Sequence, residues 1–480
     1  MDRAESSRNT IAGTQQTTKR FQVLRACQRC KSLRRGCDEH RPCQRCTRAG
    51  LQEQCIASSA PQWNAGFLHE PAHVQRRVGQ LSQTPMVDAC MQLFFQLFYP
   101  TIPILTPEFV NRLRVAAASP QNERDLEACS VLVAVCAHVL LHVDLAGNPL
   151  PSSPTMLPDE TVITGKSLLD AVLEAHRAVH WHSAPSLHRC LIVFFLYTCQ
   201  VRLAHHSQAF LLIREATSLW SLLDDKRVDC NSSEPLLDRL FWVLLISERS
   251  HAIRYDRSIT LHITSRSPDI DVHDTSLTGF MCLAGLFRPI GSAFIAIKNG
   301  EVDMSAASPR LLDDAERAIH MAIPQRAVLR DVQKANLRIT SLWLRVIIWQ
   351  LRLRLGYLSE TSIHHNHTYR YPLEIGKELM LSTRDLPIGS MHVHGIGLTE
   401  KLFDIGSAVV DVFARIPPAP SASDPATTQG LPEEGFLYIR HLIAQLPGGS
   451  AVYNELLEKH MNQALPDTRL HEFFAPYTPS

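Results

Sequence analysis

From about residue 85 onward, apolar side chains recur three and four positions apart, the period of a helix with one buried face. Such stripes run over Met86–Tyr99, Leu126–Val143, Leu168–Val179, Leu187–Leu203, Phe210–Leu223 and Leu236–Ile253, and each predicts a helix. Start signals agree with them. Thr106-Pro107-Glu108 offers a cap, a proline at the first helical position and an acid in the first turn, and Ser308-Pro309 repeats that opening. Period-two alternation is scarce and no βαβ rhythm appears. The pattern therefore predicts an all-α body over residues 85–465, with a tail at 466–480 and a proline-rich surface loop from Pro417 to Glu434.

One stripe is longer than the rest. Val328, Val332, Ala335, Ile339, Leu342, Val346, Trp349 and Leu353 follow a 4-3-4-3 repeat, which suits either an intermolecular coiled coil or a buried helix. Arg338, Arg345 and Arg352 on its flanks would have no acids to pair with across such a coil, and Leu344, Ile347, Ile348 and Leu351 make the opposite face apolar. A buried central helix is the reading these residues favour.

Hydrophobic patterning fails at the other end of the chain. Residues 1–20 are polar and read as disordered. Between Cys27 and Cys55 the only sizeable aliphatic residues are Leu33 and Leu51. That is too little to offset chain entropy in a ~30-residue unit. What the segment has instead is cysteine: Cys27, Cys30, Cys37, Cys43, Cys46 and Cys55, spaced C-x2-C-x6-C-x5-C-x2-C-x8-C. The two halves echo each other. Zinc takes four thiolates in a tetrahedron, and a C-x-x-C turn presents two of them from one loop. Six sulfurs serve two zinc ions only if two of them bridge, and metal binding then supplies the folding free energy of residues 21–57.

Charge adds a partner. The chain of 480 residues is near neutral, at +1, but from Lys19 to Arg48 ten basic residues face two acidic ones. The remainder, with 38 basic and 45 acidic residues, is mildly acidic. A basic head on an acidic body points to a polyanion bound by the head alone. The N-terminus lacks a secretory signal, and no apolar run reaches the ~18 residues that span a bilayer; the longest, Val131 to Val143, is interrupted by His138 and His142. The expected setting is intracellular, where thiols stay reduced, with no membrane partner.

CQRCKSLRRGCDEHRPCQRCTRAGLQEQC resembles the DNA-binding module of the fungal zinc binuclear cluster transcription factors. The resemblance implies two Zn2+ per chain, bridged by Cys27 and Cys43, with Cys30 and Cys37 completing one site and Cys46 and Cys55 the other. It also implies a nuclear protein whose helix after the second cysteine enters the major groove of double-stranded DNA at a CGG-type triplet. Lys31, Arg34 and Arg35 lie between two ligands, and arginine can address guanine through a bidentate fork. Arg34 holds the position of the family's base-reading lysine. Lys31, Arg29, Arg45 and Arg48 suit phosphate contacts. Leu33 and Gly36 stand where the family carries basic residues, which weakens the footprint.

The linker, residues 58–84, carries only Val74, Val78 and Leu81 at helical spacing, about one heptad, so no dimerising coiled coil is visible and homodimerisation stays open. The body resembles the fungal-specific regulatory (middle homology) domain through RLFWVLLISERSHAIRYDRSITL, residues 239–261, and through RYPLEIGKELMLSTRDLP with HGIGLTEKLFDIGSAVVDVFA. Similarity to regulators of sugar, quinate or secondary-metabolite pathways implies a pathway-specific activator that engages the transcription machinery or co-regulators. Glu248 and Arg249 are expected to form a buried pair, and Cys90, Cys129, Cys136, Cys190, Cys199, Cys230 and Cys282 to act as small buried hydrophobes.

Rival readings fare worse. Asp224-Asp225 and Asp313-Asp314 lack the third carboxylate of a terpenoid-synthase metal motif, Glu160 replaces the first glycine that Gly165-Lys166-Ser167 would need for a phosphate loop, and no G-x-S-x-G is present. His364, His365 and His367 fall in a polar loop with no carboxylate nearby, and His392 and His394 flank Val393. An all-α enzyme is therefore disfavoured. A zinc-containing scaffold or corepressor that docks protein without reading bases is the alternative.

Overall fold

The computed structural model describes residues 27–33, 37–38, 40, 42–53, 55, 71–144, 163–178, 184–230, 235–270, 275–301, 308–416 and 432–465. The chain divides into two compact units, Met1–Glu70 and Pro71–Ser480. In the first, α1 (Gln28–Ser32) and α2 (Gln44–Arg48) are short helices, each opening directly after a cysteine. Cys27, Cys30, Cys43, Cys46 and Cys55 form the core, with Cys37 packed against them. Leu33 is 49% exposed, so the unit's interior is sulfur and not hydrocarbon.

The second unit is a stack of helices: α3 (Pro71–Ser82), α4 (Met86–Leu93), a π-helical turn (Phe94–Phe98), α5 (Pro107–Ala118), α6 (Glu123–Asp144), α7 (Gly165–Ala178), α8 (Leu187–Arg202), α9 (His206–Cys230) and α10 (Pro235–Tyr255). It continues with α11 (Thr278–Phe287), α12 (Ser292–Asn299), α13 (Pro309–Met321), α14 (Asp331–Leu355), α15 (Tyr371–Thr383), α16 (Gly389–His392), α17 (Ile396–Arg415), α18 (Pro432–Gln445) and α19 (Asn454–Ala464). Among the described residues no strand forms. The periodic stripes thus appear as the helices they predict. Thr106 caps α5 by accepting from the Phe109 N–H at 3.2 Å, whereas Ser308 opens α13 without a side-chain bond. Residues 417–431 of the expected loop lie outside the described residues, and its last three, Pro432 to Glu434, already belong to α18.

Two helices organise the body. α6 packs against α3, α4, α5, α7 and α8, and α14 against α11, α13, α15, α16 and α17. The stretch Glu123–Val143 is long and apolar enough to cross a membrane, contrary to the expectation drawn from its histidines. Yet 83% of its most apolar window is buried inside the protein, as a core helix requires. His138 and His142 do not interrupt it: their rings lie 4.3 Å apart, with Phe98 against both.

Part of the stretch read as linker is also helical. In α3, Val74, Val78 and Leu81 are buried, and the helix packs on α6 and α7. Three apolar residues cannot hold a coiled coil together, but they suffice to seat one helix on its own body.

α14 is the buried central helix, starting at Asp331, while Val328 precedes it and is 92% exposed. Its arginines find partners that sequence neighbours could not reveal. Arg345 donates to Glu378 of α15 at 2.8 Å, Arg352 reaches Glu316 and Asp313 of α13 at 2.5 and 2.8 Å, and Arg338 donates to the Ser382 carbonyl. Left-handed Gly356, at φ +74°, closes the helix. α15 and α18 cross at two glycines, where a Cβ on Gly435 would fall 2.8 Å from the Gly376 carbonyl carbon.

Glu248 and Arg249 are both buried but do not serve each other. Glu248 accepts from Arg214 at 3.3 Å and from the N–H groups of Thr260 and Leu261 at 2.8 and 2.9 Å. Arg249 donates to the carbonyls of Phe287 and Arg288 at 2.7 and 3.2 Å. Consecutive residues on a helix point in different directions, so the expected pair is geometrically disfavoured. The histidine loop differs too: Asp313 comes within 3.2 Å of His367, and Glu374 within 3.3 Å of His365. Cys90, Cys129, Cys136, Cys190, Cys199 and Cys282 are buried; the Cys230 side chain lies outside the described residues.

Candidate zinc centre and nucleic-acid interface

The cysteine unit is built twice on one plan. The Cys30 N–H donates to Cys27 Sγ at 3.4 Å, and the Cys46 N–H donates to Cys43 Sγ at 3.4 Å. The Cys27 N–H in turn donates to Cys37 Sγ at 3.4 Å, and the Cys43 N–H to Cys55 Sγ at 3.1 Å. In each half the first sulfur sits at the start of a short helix, where unpaired N–H groups point outward, and the third cysteine folds back onto the first.

The six sulfurs gather into two groups of four, Cys27, Cys30, Cys37, Cys43 and Cys27, Cys43, Cys46, Cys55, with the sulfurs of each group within 4.8 Å of one another. Cys27 and Cys43 are common to both. The spacing suits zinc: ligands at about 2.3 Å in a tetrahedron put sulfurs roughly 3.8 Å apart. Observed separations are 4.0 Å for Cys27–Cys43, 3.7 Å for Cys27–Cys46 and 3.8 Å for Cys30–Cys43. Among the described residues no other set of three or more histidine, cysteine or acidic side chains has this geometry.

Electrostatics single out the shared pair. Burial works to raise the Cys27 thiol, but the Cys30 N–H and the neighbouring thiols outweigh it and lower it; the Cys46 N–H does the same for Cys43. Burial leads in pushing Cys30 and Cys46 upward. The two sulfurs common to both groups are thus lowered, whereas Cys30, Cys46 and Cys55 are raised.

The basic residues divide. Arg45 and Arg48 are exposed on α2. Arg29 instead spans the two halves, with Nη1 3.9 Å from Cys46 Sγ. Lys31 lies in α1; its side chain, like Arg34 and Arg35, falls outside the described residues. One contributor was not legible in advance. Asp38, counted only as a charge, accepts the Gln44 N–H at 2.9 Å and so holds the start of α2. That bond lowers its carboxyl, and an acid five residues before a second C-x-x-C pair would have been its only signal.

Residues 25–64 match the family model of the fungal Zn(2)-Cys(6) binuclear cluster domain. The amino-terminal unit therefore carries the fungal Zn(2)-Cys(6) binuclear cluster domain. The chain is 20% identical over 342 residues to the probable sucrose utilization protein SUC1 of Candida albicans, covering 68% of this chain and 65% of that protein, somewhat under two thirds of its length. It is 20% identical over 423 residues to the maltose fermentation regulatory protein MAL13 of Saccharomyces cerevisiae, covering 83% of this chain and 86% of the relative. With the maltose fermentation regulatory protein MAL63 of the same species the identity is 23% over 429 residues, 81% and 85% of the two chains. No solved structure matches the chain. The names of these relatives are those of sugar utilization and regulatory proteins, and this chain is built as a cysteine-cluster module followed by a helical body.

Proposed function

We propose that the protein is a nuclear, sequence-specific transcription factor whose N-terminal unit holds two Zn2+ and reads CGG-type half-sites in the major groove. Cys27 and Cys43 bridge the ions, Cys30 and Cys37 complete one site, and Cys46 and Cys55 complete the other. The observation that carries this reading is the sharing of Cys27 and Cys43 between two four-sulfur groups. Zinc supplies the rigidity that six thiols without a hydrocarbon core need, and so presents Lys31, Arg34 and Arg35 to base edges. Arg45 and Arg48 contact phosphates and set the register, and Arg29 combines that role with its hold on Cys46. The helical body regulates this reader. The relatives' roles in sucrose and maltose use support a target set among carbon-source genes, with activation as the output.

Selection of bound duplexes from a random pool by the full chain, at fixed salt, tests the reading. CGG-containing sites and a steep loss of affinity with added salt are the expected result, because neutralised phosphates release counterions. The competing scaffold or corepressor reading predicts enrichment of no sequence and a flat salt response.

A further inference from the structure

A cleft of about 690 Å³ opens in the helical unit between α3, the residues entering α6, the end of α7 and the start of α8. Its volume lies within the range of small-molecule sites. The lining is unusual for its uncharged polar groups: Gln75, Gln80, Gln83, Gln121, Asn122 and Ser130. Its charged groups balance, Arg76 and Arg189 against Glu123 and Glu127. Glu127 is 8% exposed and takes a 2.6 Å hydrogen bond from Ser186. Val78, Leu126 and Ile192 supply apolar wall.

Gly79 is the informative residue. It lies inside α3, where glycine is the least favourable residue after proline. Its φ is not in the left-handed region, so the backbone does not require glycine. Packing does not require it either, because a Cβ there would meet nothing within 4 Å, although Gly79 itself is buried and lines the cleft. What the missing side chain does is leave the cleft open.

We propose that this cleft binds a neutral, polyhydroxylated small molecule of about disaccharide size. Carboxamides offer a donor and an acceptor on one rigid group, which matches the paired donor and acceptor character of a hydroxyl. A balanced set of charges gives no net attraction for an anion or a cation. The apolar wall suits the C–H face that every polyol presents.

Calorimetric titration of the zinc-loaded full chain with maltose, sucrose, glucose 6-phosphate and glucosamine tests the proposal. At least one neutral disaccharide is expected to saturate the protein, with an affinity tenfold or more above both charged sugars. Gly79→Leu is expected to weaken that binding at least tenfold while the melting temperature holds or rises. Should Gly79→Leu fail to fold, Gln80→Ala and Gln121→Ala, both changes of exposed side chains, must each weaken binding severalfold. Absence of saturable binding by either disaccharide, equal binding of a charged sugar, or native affinity in the folded variants overturns the assignment.

Discussion

Arg352 of α14 and Glu316 of α13 meet at 2.5 Å, with side chains 1% and 2% exposed. The pair is fully furnished. Glu316 also accepts from Asn366 at 2.6 Å and from the Tyr371 hydroxyl at 2.9 Å, while Arg352 turns its other nitrogen to Asp313. Burying two charges is costly, and only such complete hydrogen bonding repays it.

Removing Glu316 leaves the buried Arg352 with only the partly exposed Asp313 to pair with, and takes the acceptor from Asn366 and Tyr371. Glu316→Ala is expected to destabilise the body by about 3–5 kcal/mol. The double replacement Glu316→Leu with Arg352→Met should cost less than Glu316→Ala alone. Urea unfolding followed by circular dichroism measures both, and a larger loss in the double variant would contradict this account.

Acid should weaken the body through its buried histidines, His138, His142, His251 and His394 foremost. Burial holds His138 well below the ordinary imidazole range, His142 at about 3 and His394 at about 4. In the unfolded chain each titrates near 6.5, so below that pH the unfolded state takes up protons that the folded state refuses. Stability is complete above roughly pH 6.5 and declines as pH falls toward 4. His138 makes no hydrogen bond through either ring nitrogen and lies among Phe98, His142 and Phe195. His138→Phe should thus flatten the acid limb of a melting-temperature profile with little change at pH 7.5.

Metal removal should act on the cysteine unit alone. Elemental analysis is expected to return about two equivalents of zinc per chain. A strong chelator should abolish DNA binding while leaving the helical dichroism of the body nearly intact, and Cys37→Ala should behave like partial chelation. A body that melts on chelation would point to metal elsewhere.

The basic residues should separate by role. Arg34→Ala is expected to cost about 1–3 kcal/mol of specific affinity and to relax discrimination at one base. Arg48→Ala should weaken all sites alike and lower the salt slope by about one. Arg29→Ala should do more than lose a phosphate contact, because its guanidinium faces Cys46 Sγ; faster zinc loss from the variant than from the native protein is the added readout.

Much of the molecule could be read from short stretches of chain. C-x-x-C pairs, their doubled spacing and the lack of aliphatic residues between them are local facts, and the echo between the halves reappears as matching N–H···Sγ bonds at Cys27 and Cys43. Helix periods are local as well, and nearly every stripe became a helix. Errors arose where a residue's partner lies far along the chain. Glu248 stands beside Arg249 in sequence, but its partner Arg214 is 34 positions away. Val74, Val78 and Leu81 have the spacing of a short dimer seam, but their helix closes onto α6 and α7.

The sequence alone determined that the amino-terminal unit needs metal and that the remainder is helical, because ligand spacing and apolar period are properties of a few consecutive residues. Tertiary structure decided which acid neutralises Arg352, that α3 belongs to the body, and that Gly79 faces open space. Those depend on how helices dozens of residues apart come to rest against one another, and no short stretch of chain encodes that arrangement.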